Sequence, residues 1–290
     1  MVALKILKDF YSESCRIVEK MAEYAEVEDL DLYYEPVAGN VKHFGILFGD
    51  DFKKTLIQND TRYFMCTMFI AFVKEAYRTM INNPGQDGRG KMYRKILCDF
   101  DPKSIIDTYG EADALLAMFQ EKQAEISTDD AKSVYYWNNL AMGLIDSAKF
   151  LLNTDNVKLV TDKTGRYYKF AEDLWNLLQK DKNYRDGITG INETLAWYFI
   201  KETGYFDIGS PDRYIEEIVT ALGYNVRRIE KGINGFDTQE ALWDIAKSND
   251  VTVYKIDKMI HLICTGMFYL DNRIPSQKAT YLRAIRKIRA

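Results

Sequence analysis

Apolar residues recur along this chain at helical spacing, and little interrupts them. Leu4, Leu7, Tyr11, Ile17 and Met21 fall on one face of a helix near the start. There are 5 prolines in 290 residues, and proline is the residue that most reliably breaks a helix interior. Thr61 to Met80 is a strongly apolar segment that reads as a helix buried on most sides. Asn82-Asn83-Pro84-Gly85 stops it, and Gly85, Gly88 and Gly90 make a flexible loop. Asp101-Pro102 opens the next helix, and Asp129-Asp130 opens another that reaches about Leu152. Further helices are expected over 169–179, 192–203, 211–222, 238–248 and 253–267, with a basic helix from Gln277 to the end. Two stretches read otherwise. Gly39, Gly45 and Gly49 are expected to break any helix across residues 27–50, and Lys158 to Tyr168 reads as a short hairpin or loop. The fold class is mainly α, with about ten helices.

Composition narrows the function classes. With 47% hydrophobic residues the chain can bury a large core, as one large or two small domains. No apolar run is long enough to span a membrane. The opening MVALKILKDFYSESC reads as a first helix and not a signal peptide, so a cytoplasmic location is expected. Cys15, Cys66, Cys98 and Cys264 are scattered without a CxxC, which leaves no pattern for zinc or an iron–sulfur cluster. His43 and His261 are the only histidines; they build no metal cluster or Ser–His–Asp set and read as structural residues. The net charge of −4 opposes a broad nucleic-acid surface. Positive charge is nonetheless concentrated in the acid-free tail, at Arg273, Lys278, Arg283, Arg286, Lys287 and Arg289, and again at Arg89, Lys91, Arg94 and Lys95.

The sharpest local pattern is Gly187-Ile188-Thr189-Gly190-Ile191, a tight turn opening a helix at Asn192, with Asp212 22 positions after Gly190 (212 − 190). Glycine lets a backbone approach a phosphate closely, and the N–H groups of the following helix make an anion site. An ordinary glycine-capped helix connection has the same pattern. Ser210-Pro211-Asp212 is also a sound helix start, with Ser210 as cap, Pro211 at the first position and Asp212 favoured by the positive helix end. A structural and a catalytic role for Asp212 are compatible.

In order and spacing the segment from Gly187 to Tyr224 resembles the helix-hairpin-helix motif and catalytic aspartate of the HhH-GPD superfamily of DNA glycosylases. Gly190, Ile191 and Ala196 match the family's turn, and Asn192 stands in for its second glycine. Weaker echoes lie at Asp99 to Pro102, Leu195 to Tyr205 and Val253 to Leu270. The resemblance implies two helical domains with an active-site cleft between them: residues 61–206 ending in the hairpin, and 1–60 with 207–290 as the second. It implies DNA-backbone contacts at Gly187, Gly190, Asn192 and Thr194, and a site for Na+ or K+ at the carbonyls of Ile188 and Ile191. Asp212 would be the catalytic carboxylate. Bifunctional members carry a lysine where Thr194 stands, so the implied enzyme is monofunctional, without lyase activity. A flipped base needs stacking and amide partners. Tyr136, Trp137, Asn138 and Tyr168 are candidates that could equally pack a core, and Arg89 and Lys91 could contact DNA. The implied partner is double-stranded DNA, bound by a monomer, with no cofactor. The setting is base-excision repair or attack on phage DNA with modified bases. The alternative is a non-catalytic protein that binds DNA lesions or structures.

Overall fold

The computed structural model describes residues 2–57, 60–76, 89–122, 131–161, 187–191, 193–229, 232–233, 235–268 and 274–290. The protein is mainly helical. Among the described residues the only strands, β1 (Arg228–Ile229) and β2 (Gly232–Ile233), form a two-residue antiparallel pair. The chain divides into two compact units, one of residues 1–39 with 204–290 and the other of residues 40–203. The resemblance groups residues 40–60 with the termini and 204–206 with the hairpin; here 40–60 fall in the second unit and 204–206 in the first.

In the first unit, α1 (Leu4–Tyr24) buries Leu7, Phe10, Ile17, Val18 and Met21 against the C-terminal helices. These are α12 (Arg213–Leu222), α13 (Gly235–Asn249), α14 (Val253–Thr265) and α15 (Lys278–Arg289). α1 packs on α13, α14 and α15, and α12 lies against α14 and α15. Tyr281 of α15 is fully buried, stacks on Phe10 at 5.6 Å and shares a 2.5 Å hydrogen bond with Ser14.

The second unit is built on two helices, α5 (Asp60–Ala76) and α9 (Ala131–Leu152). Every residue from Tyr63 to Phe72 is buried, as the apolar run predicts. α7 (Pro102–Tyr109) and α8 (Ala112–Lys122) pack on α9, and α11 (Glu193–Glu202) packs on α5. Asp101 caps α7, accepting from Ser104 N at 2.9 Å, with Pro102 next as expected. Between α6 (Arg89–Ile96) and α7, Cys98, Asp99 and Phe100 all adopt positive φ of 50 to 57°. Left-handed backbone costs about 1–2 kcal/mol per non-glycine residue. It is held by Arg94, whose Nε donates to Asp99 at 2.5 Å, and by the Phe100 ring, set 4.8 Å from Phe48 and 5.5 Å from Phe69.

Three sequence expectations are corrected. Residues 27–50 are not helix-free: α2 (Leu30–Tyr33) and α3 (Pro36–Phe48) occupy them. α3 runs through Gly39 and Gly45 because tertiary contact uses both glycines. A Cβ at Gly39 would lie 2.7 Å from the Leu32 carbonyl oxygen, and one at Gly45 would overlap the Lys53 side chain. Only Gly49, at φ 107°, ends the helix. The second correction is at Lys158 to Thr161, which continue α10 (Thr154–Thr161) and form no hairpin. Residues 162–168 of that expected hairpin, and the helix expected over 169–179, lie outside the described residues. The third concerns Arg89 and Lys91, which belong to the first turn of α6 and not to a loop.

Candidate functional site

Asp212 is the N-cap of α12, a position the sequence gives to Ser210. Its Oδ1 accepts from the backbone N–H groups of Tyr214 at 2.8 Å and Ile215 at 2.9 Å. Pro211 therefore precedes the cap and does not start the helix. The reason is local: the Asp212 backbone is extended (φ −95°, ψ 170°), which turns its short carboxylate back over the first helical amides. The positive end of α12 favours a negative charge there. The other oxygen, Oδ2, faces His261 of α14, whose Nδ1 is 3.8 Å away, and the carboxylate keeps 26% of its surface exposed.

His261, Tyr214, Glu217, Lys278 and Cys264 complete this neighbourhood. The Tyr214 ring meets His261 edge-on at 6.2 Å. Lys278 ion-pairs with Glu217 and lies 5.2 Å over the Tyr214 ring. Burial opposes ionisation of Glu217, but Lys278 and Arg213 outweigh it and hold the carboxyl below its usual range. Burial pushes the Cys264 thiol up to about 12, away from the thiolate form that a nucleophilic cysteine needs.

The loop that presents Asp212 is fixed from below by two buried polar side chains. Gln239 of α13 brackets Gly209: its Oε1 accepts from Gly209 N at 3.0 Å and its Nε2 donates to the Gly209 carbonyl. Asp257 of α14 accepts from Ser210 N at 2.7 Å. Gly209 packs closely here: a Cβ would sit 2.4 Å from the tip of the Leu242 side chain and 3.2 Å from Asp257 Oδ1, so a larger residue would have to displace them. Trp243 adds a bond from its indole N–H to the Asp207 carbonyl at 2.9 Å.

The glycine turn of the other unit is built differently. Ile191 N donates to the Ile188 carbonyl at 3.3 Å, and Gly190 takes φ 81°. Thr189 is not left-handed, so this is a type II β-turn, which requires positive φ at its third residue. Asp146 of α9 clamps it, accepting from Thr189 N at 2.9 Å and from Thr189 Oγ1 at 2.5 Å. Gly143, one helical turn earlier, lets the turn reach the helix; a Cβ there would lie 2.7 Å from the Thr189 carbonyl oxygen and 2.5 Å from the Phe72 ring. Gly187 is buried, Gly190 is exposed and Thr194 is half-buried in the first turn of α11. The Ile188 carbonyl, named for a cation, already accepts from Ile191. Asn192 lies outside the described residues.

The remaining sequence candidates are dispersed. Trp137 is 2% exposed and packs on Phe119 at 5.4 Å, as a core aromatic does. Asn138 is half-buried on the same helix. Tyr136 lies on α9, but its side chain, like all of Tyr168 and the side chain of Arg89, is outside the described residues. Lys91 is exposed and adds its charge to that of Arg94 near Asp51. Reading the sequence misses Gln239, Asp257, Gly143, Asp146 and the pairing of His261 with Asp212. Asp257 carries a legible signal, because it interrupts the apolar stripe of Val253, Ile256 and Ile260. The others are fixed by contacts remote in sequence, and no local pattern announces them.

No group of three or more His, Cys, Asp or Glu suited to a metal occurs among the described residues. None of their helices is long and apolar enough to cross a membrane. No protein-family model, curated protein or solved structure matches this chain.

Proposed function

We propose that the protein is a monofunctional DNA N-glycosylase, with Asp212 as its catalytic carboxylate and the turn from Gly187 to Thr194 as a backbone anchor. The observation that supports it most is the state of Asp212. One oxygen is fixed by two amides, the other is directed to a partly exposed face, and the loop beneath is held by Gln239 and Asp257. A carboxylate that cannot rotate away is what an oxocarbenium-like sugar needs. The C1′–N bond breaks, with its electron pair leaving on the base. Asp212 stabilises the positive charge left on C1′ and the ring oxygen, then orients a water and takes its proton as the C1′–O bond forms. The displaced base takes up a proton, and an abasic site remains. Thr194 has no amine to form a Schiff base, so strand cleavage does not follow. In this proposal the type II turn and α11 serve as the hairpin motif, the positive end of α11 faces a phosphate, and the substrate is duplex DNA with a flipped, damaged or modified base.

A second reading, a non-catalytic DNA-binding protein, is favoured by one observation: the cap occupies Asp212 Oδ1 with backbone amides, a complete structural role in itself. Base-release mass spectrometry on damaged DNA, genomic DNA and phage DNA with hypermodified bases separates the two. Free base and abasic sites are expected with the native chain and not with Asp212→Asn. Full activity in a folded Asp212→Asn protein would remove Asp212 from the mechanism. Salt-dependent DNA binding with no base released from any source would establish the second reading.

A further inference from the structure

The unit that carries Asp212 ends in α15, whose two faces differ sharply. Tyr281 and Ile285 are fully buried and fix the inward face. Arg283, Arg286 and Lys287 point outward, and all three are exposed. Their spacing of three and four residues places them side by side on one helix surface. No acid occurs from Arg273 to the end of the chain.

None of these three cations has a carboxylate partner among the described residues; Lys8, Lys20 and Lys247 of the same unit also have none, but they are scattered over α1 and α13, whereas these three lie together on one helix surface. Elsewhere in the same unit, ion pairs join Lys5 to Asp9, Arg16 to Glu13, Arg213 to Glu217 and Arg227 to Asp237. Lys278, at the start of α15, is taken by Glu217. Arg289 donates to the Ala221 carbonyl at 3.0 Å. Arg283, by contrast, donates only to the Thr280 hydroxyl, at 3.2 Å, and no carboxylate among the described residues pairs with Arg283, Arg286 or Lys287. The helix dipole favours cations in the last turn, which accounts for Arg286 and Lys287 but not for Arg283, two turns from the end. Like charges at this spacing repel one another, and a polyanion laid along the stripe relieves that repulsion.

We infer that the outward face of α15 is a second DNA-backbone contact, in which Arg283, Arg286 and Lys287 bind phosphates of the duplex independently of base sequence. The inference rests on the reading of the chain as a DNA-acting enzyme. A membrane surface fits the face poorly. Helices that lie in a bilayer expose large apolar side chains beside their lysines, whereas the exposed positions of α15 besides its cations carry only Ala279 and Thr280, and its apolar Leu282 and Ile288 are half-buried. In a chain of net charge −4, such a stripe also directs how a polyanion approaches.

The test is equilibrium binding of the full chain to a fluorescein-labelled, unmodified 30-bp duplex between 50 and 200 mM KCl. It compares the native protein, the triple variant Arg283→Gln/Arg286→Gln/Lys287→Gln, and a charge-keeping Arg283→Lys/Arg286→Lys control. All three positions are exposed, and circular dichroism checks that the variants remain folded. Each phosphate contact contributes a slope of about 0.9 in log K against log salt. The triple variant should therefore lose about 2.7 of slope, so that the native protein weakens about 40-fold more than the variant over this fourfold rise in salt. The control should keep the native slope. An unchanged slope in the triple variant would overturn the inference, as would native protein that binds vesicles of 30% phosphatidylserine but not DNA. Base release is scored in the same preparations. Base release with an unchanged slope defeats this inference alone, and a lost slope without base release defeats the catalytic proposal alone.

Discussion

Asparagine caps a helix about as well as aspartate does, and alanine does not. Asp212→Asn should therefore change unfolding free energy by less than about 0.5 kcal/mol, while Asp212→Ala should lower it by about 1 kcal/mol, both read by urea denaturation. The asparagine variant thus separates charge from cap, and base release in it reports on chemistry and not on folding. The two glycines at the turn make a second contrast. At Gly190 a new Cβ has room, its nearest neighbour being the Phe72 ring at 3.5 Å, but φ is 81°. Gly190→Ala should cost about 1–2 kcal/mol through backbone strain alone. At Gly143 the backbone is helical, and alanine would gain up to about 1 kcal/mol in propensity. The overlap with Phe72 and the Thr189 carbonyl outweighs that gain, so Gly143→Ala should be destabilising by about 1–3 kcal/mol and should displace the turn. A more stable Gly143→Ala protein, by the same denaturation, would contradict the close contact between turn and helix.

The helices differ in how openly their starts and stops are written. α7 is legible from Asp101-Pro102, and its cap has a measurable pH signature. Burial opposes ionisation of Asp101, but bonds from Ser104 and the charge of Arg62 outweigh it and hold the carboxyl below its ordinary value of 3.8. A carboxyl lowered in the folded state contributes stability above the unfolded value and loses it as pH falls through the folded one. Asp101→Ala should cost about 1 kcal/mol at pH 7, and that cost should shrink as pH drops below about 4, in denaturation curves taken from pH 7 to pH 2.5. α3 is the opposite case. Its glycines read as breaks because local sequence cannot show Leu32 and Lys53 waiting at those positions. The start of α12 was misplaced by two residues for a related reason. Ser210 and Asp212 are both good caps, and the choice is made by Asp257, which accepts the Ser210 amide and fixes the chain before the helix begins.

At the scale of the molecule, the helical class follows from apolar periodicity and scarce proline, both of which act within a few residues. The partition of the chain does not, because it depends on which helices meet. α1 finds its partners more than two hundred residues away, on α13, α14 and α15. Ile260, fully buried among those helices, tests the partition. Ile260→Ala should cost about 2–5 kcal/mol, and hydrogen exchange should show the lost protection in residues 1–39 and 204–290 ahead of 40–203. Uniform loss throughout the chain would mean that the two units unfold as one. The same partition has a consequence during synthesis. Residues 40–203 leave the ribosome as a complete set, but α1 emerges first and its earliest helical partner on that core, α13, begins only at Gly235. At about 5–20 residues per second, α1 waits roughly 10–40 s with Phe10, Ile17 and Val18 uncovered. The unit bearing Asp212 is thus the last to close, and a nascent chain stalled before Gly235 would display an amphipathic helix as bait for chaperones.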